Sequence, residues 1–145
     1  MAQSLRVVMA QLNIRVGDIQ GNVEMIIEAA KKARDELHAQ IIVFPELTLC
    51  GYPPEDLLLR TSMQRRIEKA LNEVREAAQG IAIVVGFPWV ESGSGHEELQ
   101  SNRYNSCAIF ADGLEVGRYN KQKLPNYRVF DEKRYFVPGK GPCIV

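Results

Sequence analysis

At 145 residues, with 46% hydrophobic and 25% charged side chains, the chain has the size and composition of one globular domain and not those of a disordered segment. Basic and acidic side chains balance at 18 each, so no net positive field is present to hold nucleic acid, and a small molecule or another protein is the expected partner. No apolar run reaches the ~18 residues that span a bilayer, and the opening MAQSLRVVMAQLNI lacks the pattern of a secretory leader; no membrane partner and a cytoplasmic location are expected.

Leu5 to Asn13 is an apolar run of strand length, followed by turn and helix-start residues in VGDIQGN, and reads as a first buried strand. From Ile19 onward, Val23, Ile26, Ile27, Ala30 and Leu37 fall on one helical face, opposite Glu24, Glu28, Lys31 and Lys32. Ile41 to Phe44 form a short strand stopped by Pro45. Met63, Ile67, Ala70, Leu71, Val74 and Ala78 mark a second helix with Gly80 as its stop, and IAIVVGF follows as a further apolar strand. Strand, helix, strand, helix, strand predicts an α/β fold with parallel strands and helices packed on the sheet. Glu91 to Arg103 are polar and aperiodic and read as an exposed connector. Two strands then flank Asp112-Gly113, a two-residue hairpin signal that leaves Lys121 at the end of the second. The terminal Cys-Ile-Val looks like the opening of another strand, for about six strands in all.

Three side chains stand where chemistry collects. Glu46 in VFPELTLCGYPPEDLLLR follows a strand and a proline directly, a place where a carboxylate is fixed, partly desolvated and able to act as a general base; capping the turn is the competing role. Lys121 in RYNKQKLPNYRVF is placed to stabilise an oxyanion, against the alternatives of a solvated strand-end lysine or of Lys123 in that role. Glu132, within a DEKR run, can orient Lys121 or form a surface ion pair. Position alone does not decide among these roles.

The first of these motifs, followed later by YNKQKLPNYRVFDEKRYFVPG, resembles the nitrilase, or carbon–nitrogen hydrolase, superfamily over essentially the whole chain. The wording PPEDLLLR and LPNYRVFDEKRYF is narrower and resembles the glutaminase domain of glutamine-dependent NAD synthetases. The resemblance implies the N-terminal portion of a nitrilase-like α-β-β-α sandwich, with residues 1–145 a partial glutamine amidohydrolase domain and the synthetase domain absent. It implies Glu46 as general base, Lys121 as catalytic lysine, Glu132 as the second glutamate, and Tyr52, Tyr127 and Phe130 lining a glutamine pocket. The partners it implies are glutamine and a C-terminal synthetase domain that uses ATP and Mg²⁺; this domain itself is expected to need no cofactor and no metal. A stand-alone amidase and a non-catalytic interaction domain are the alternatives.

The nucleophile is the departure. Members of the superfamily carry a cysteine in a strand-end motif resembling I-C-E-D beyond the position of Pro138-Gly139, and no such motif occurs here. Cys50 can approach the pocket from the Glu46 loop but does not hold the nucleophile's place, Cys107 alternates within a strand, and Cys143 arrives too early. The three are odd in number and widely spaced, so reduced thiols are expected. Acyl transfer needs a thiolate, so the chain is expected to be inactive alone and to expose apolar surface that favours a homo-oligomer. His38 and His96 suggest no dyad, and neither VPGKGP nor SGSGHEE has the spacing of a phosphate-binding loop.

Overall fold

Asp18 precedes the first amphipathic stretch, and its carboxylate accepts a 3.1 Å hydrogen bond from the Gly21 amide, satisfying one of the donors a helix leaves open at its start. Helix α1 (Ile19–Asp35) buries Ile19, Val23, Ile26, Ala30 and Ala33 along one stripe and carries Lys32 and Arg34 in its last turn, where they complement the helix dipole. Leu37, expected on that stripe, lies past the last turn; no longer set by the helical period, its side chain stays 44% exposed. Helix α2 (Thr61–Ala77) buries Met63, Ile67, Ala70, Leu71 and Val74. Gly80 adopts φ +68°, the left-handed conformation that redirects the chain into the following strand.

This is a computed structural model, and it describes residues 4–91 and 102–145. Five strands, β1 (Val7–Met9), β2 (Ile41–Val43), β3 (Ala82–Glu91), β4 (Asn102–Ala111) and β5 (Leu114–Asn120), form one sheet in sequence order. β1, β2 and β3 are parallel, as the helical crossovers require, whereas β3, β4 and β5 are antiparallel. The sheet is therefore mixed. β3 and β4 are longer than their apolar cores and pair out to Glu91 and Asn102, so both ends of the expected connector belong to strands; its remainder, 92–101, lies outside the described residues. Pro88 sits within β3, where the short β2 no longer runs alongside and no ladder donor is needed. Asp112 (φ 49°) and Gly113 (φ 78°) make the two-residue β4–β5 turn as expected.

The helices pack on each other, and the core lies between them and one sheet face, where Ile42, Ile83, Val85, Phe87, Ala108 and Phe110 are buried. On the opposite face the register aligns Val7 with Ile41 and Ala82, and Met9 with Val43 and Val84. Val7 and Met9 there are 45% and 84% exposed, so the expectation of a buried first strand is corrected: its sequence is apolar, but only one face has a helical cover. Nor does the Cys143–Val145 segment form a sixth strand among the described residues; it lies over Gly117 of β5, with Cys143 Sγ 3.1 Å from where a Cβ would stand.

Ile67 is fully buried in the helix–sheet core. Ile67→Ala should cost about 2–5 kcal/mol, read as a lower urea midpoint at an unchanged slope.

Candidate active site

The segment after β2 is short, closed and tightly seated. Phe44 N donates to Val84 O (2.9 Å) and Leu49 N to Gly86 O (3.1 Å), so the chain runs along β3 on both sides of Glu46. Leu47, Leu49 and Cys50 are fully buried, Leu47 at φ +52°, and the Thr48 hydroxyl donates to the Pro45 carbonyl. A Cβ at Gly86 would stand 2.6 Å from Leu47 N; only glycine lets the turn approach β3 this closely. With its neighbours locked inward, Glu46 projects outward. It is fixed as expected, though its side chain keeps 44% exposure.

Lys121 follows β5. Its amide donates to Asn105 O (2.8 Å) on β4, and its carbonyl accepts from Gly139 N (2.9 Å). A Cβ at Gly139 would overlap the Asn120 carbonyl oxygen, so a second glycine permits this approach. The lysine Nζ lies 2.6 Å from Glu46 Oε1 and 3.1 Å from Glu132 Oε1. Glu132 opens a short 3₁₀ turn, Glu132–Arg134, and is 6% exposed, which excludes the surface ion pair that the DEKR run suggests. Its Oε2 is buried without a hydrogen-bond partner.

Burial lowers the Lys121 pKa, but the hydrogen bonds and charges of Glu46 and Glu132 outweigh it, and the ammonium is held above the ordinary lysine value. Asn105, 4% exposed, donates from Nδ2 to Glu46 Oε1 at 2.5 Å. Asn105 is not among the side chains singled out above; a polar residue at a buried position of an apolar strand is the signal that marks it. Glu46 thus accepts from two donors supplied by two strands.

A cavity of about 560 Å³ opens beside Glu132. Tyr52, Pro53 and Leu58 line it from the segment before α2, and Phe130, Glu132 and Phe136 from the segment after β5. Tyr127 is not on this wall; it is 63% exposed, with its ring packed edge-on against Phe130 at 5.6 Å. Lys123 lies with Tyr127 along a separate depression, away from the two glutamates. Cys50, expected to be able to approach the pocket, is instead sealed in the core, its Sγ 3.5 Å from Leu47 O; burial pushes its thiol up to about 12. Burial also raises Cys107, which lines a shallow depression with Glu46 and Lys121.

A carboxylate and an ammonium in contact at strand ends, with a second carboxylate buried behind them, are equipped for proton transfer and for oxyanion stabilisation. Residues 6–145 match the carbon-nitrogen hydrolase family, and the chain belongs to it. Within that family it is similar to glutamine-dependent NAD(+) synthetases. That of Acinetobacter baylyi is 42% identical over 137 residues, covering 94% of this chain and 24% of the relative. The structure of the Acinetobacter baumannii synthetase with ADP aligns at a TM-score of 0.85 and 41% identity, over 97% of this chain and 25% of its own. An amidase from Nesterenkonia sp. AN1, seen with acrylamide added at its active site cysteine, aligns at 0.78 and 28% identity, over 96% of this chain and 51% of its own. The chain spans about a quarter of the length of the synthetases it matches.

Since the folded-state pKa of Lys121 is raised, the stability its ion pairs contribute is fully present below the unfolded lysine value of ~10.4 and is lost as pH rises through the folded value. Lys121→Met should flatten that alkaline loss in urea titrations across this range. At neutral pH the same substitution should cost about 3 kcal/mol, by leaving Glu132 buried and unpaired, and adding Glu132→Gln should recover most of it.

Proposed function

We propose that this chain carries the acid–base half of the glutamine-hydrolysing domain of a glutamine-dependent NAD synthetase. The intact protein would hydrolyse glutamine to glutamate and ammonia, and its synthetase domain would use the ammonia, with ATP and Mg²⁺, to amidate deamidated NAD. The observation that carries this reading is Lys121 Nζ held between Glu46 and Glu132, in a chain 42% identical to such a synthetase. A stand-alone amidase is less favoured, because identity to the Nesterenkonia amidase is 28%.

The nucleophile in this reading is a cysteine outside these residues: Cys50 is sealed in the core with its thiol raised to about 12, burial raises the Cys107 thiol as well, and Cys143 lies over Gly117 of β5. Glu46 takes the thiol proton and the thiolate adds to the amide carbonyl. The Lys121 ammonium stabilises the resulting oxyanion. Glu46 returns the proton to the leaving nitrogen, ammonia departs, and a thioester remains. Water then attacks the thioester with Glu46 again as base, releasing glutamate and the thiol. Glu132 holds Lys121 in place, Tyr52 and Phe130 form the cavity walls for the glutamine chain, and Tyr127 backs Phe130. In this reading the domain uses no cofactor of its own and works in the cytoplasm.

Glu46→Gln and Lys121→Met, made in the full-length protein, should each lower glutamine-dependent NAD formation by ~10²-fold or more while ammonia-dependent formation persists. Equal loss of both activities, or of neither, would defeat the assignment.

For the chain by itself we propose a homo-oligomer in which a second copy covers the sheet face bearing Val7, Met9 and Tyr119, which are 45%, 84% and 37% exposed. Contiguous apolar surface of this kind favours association. Sedimentation equilibrium at micromolar concentration should show a dimer or higher species, and a monomer would refute it.

A further inference from the structure

We propose that Asp56 is a positioning residue for the cluster, holding through Tyr135 the turn that delivers Glu132 to Lys121. The inference rests on the reading of Glu46, Lys121 and Glu132 as the reacting groups.

A buried carboxylate is unfavourable unless something keeps it beside its counter-ion. The hydrogen bonds that shape the Glu132 turn are mostly internal to residues 125–136: Glu132 N to Pro125 O, Lys133 N to Asn126 Oδ1, Arg134 N to Asp131 O and Phe136 N to Glu132 O. They fix the shape of the turn but not its place against the rest of the molecule. Placement depends on ties that leave the segment. Phe136 is buried on one side, and Val137 N donates to Arg103 O at 2.8 Å.

Across the cavity mouth, the Tyr135 hydroxyl donates to Asp56 Oδ1 at 2.6 Å, joining residues 79 apart in sequence. The hydrogen bond raises the Tyr135 pKa, as expected for a phenol bound to a carboxylate. Arg134 Nη2 adds a looser 3.5 Å contact to the same oxygen, with both side chains mostly exposed, and contributes little. Asp56 itself is carried by a short 3₁₀ helix, Glu55–Leu59, anchored by buried Leu58. The tie therefore runs from an anchored element, across the cavity, to the residue three places after Glu132. Losing it frees the turn to swing Glu132 toward water, away from Lys121.

The test is the titration of Lys121, followed by NMR of its ¹³C-labelled ε carbon in this chain. Asp56→Ala removes a negative charge as well as the acceptor, so Tyr135→Phe, which removes only the hydroxyl, is the deciding variant. Both should lower the Lys121 midpoint by about half a pH unit or more, because Glu132 no longer stays in contact. The double variant should fall no further than the Asp56 variant alone, and Asp56→Glu should restore most of the shift. An unchanged midpoint in folded Tyr135→Phe, verified by circular dichroism, would overturn the proposal, as would additive effects of the two substitutions. This readout does not involve turnover. If Tyr135→Phe shifts Lys121 while glutamine-dependent activity survives Glu46→Gln, the positioning role stands and the functional reading falls.

Discussion

The site depends on one ammonium shared by two carboxylates. Lys121 reaches Glu46 and Glu132 at 2.6 and 3.1 Å, and the two acids come from segments 86 positions apart. Without the lysine the acids would repel, and Glu132, only 6% exposed, would be a buried unpaired charge. With it, the trio retains a net charge of −1, and the two acids differ in freedom. Glu46 is half exposed and Glu132 enclosed, so Glu46 is open to an incoming group while Glu132 is turned to the lysine.

Bringing these groups together requires backbone approaches that side chains would block. Gly86 admits the Glu46 turn onto β3, and Gly139 admits the return segment onto the end of β5, where its amide holds the Lys121 carbonyl. Asn105 bridges the two: its backbone carbonyl receives the Lys121 amide and its side chain reaches Glu46. The antiparallel β3–β4–β5 register makes this possible, because it sets Asn105 opposite Pro88, two residues beyond Gly86, and beside the strand that ends before Lys121. The fold thus supplies geometry that the charges alone would not hold.

Much of this was legible from sequence. Hydrophobic periodicity located both helices, Pro45 marked where β2 stops, and Asp112-Gly113 fixed the hairpin that places Lys121. The illegible parts share a physical cause: they depend on what lies opposite in space. β1 reads as buried because its residues are apolar, yet burial needs a partner on each face. The antiparallel β3–β4 pairing was hidden because polar residues extend both strands past their apolar cores, where pairing is set by the backbone ladder and not by side chains. Glu132 looked superficial because its neighbours in DEKR are exposed, and only the turn that rotates it inward distinguishes it from them. Asn105 and the Asp56–Tyr135 tie could not be read from one-dimensional spacing, since each joins segments brought together only by the finished sheet.

The same geometry explains why the cluster holds together without a cysteine in it. Glu46, Lys121 and Glu132 are held in place by one another and by Asn105, so their arrangement does not need a nucleophile to hold it. A cysteine introduced beside Glu46 would meet a carboxylate already fixed in direction by two donors, and a carbonyl placed there would meet an ammonium already held in its charged form. Reorganisation during the reaction would then be small, which is the condition under which preset charges lower a barrier most. Glu132 Oε2 is the one buried side-chain polar atom among the described residues left without a hydrogen bond, so the arrangement is held by its other contacts.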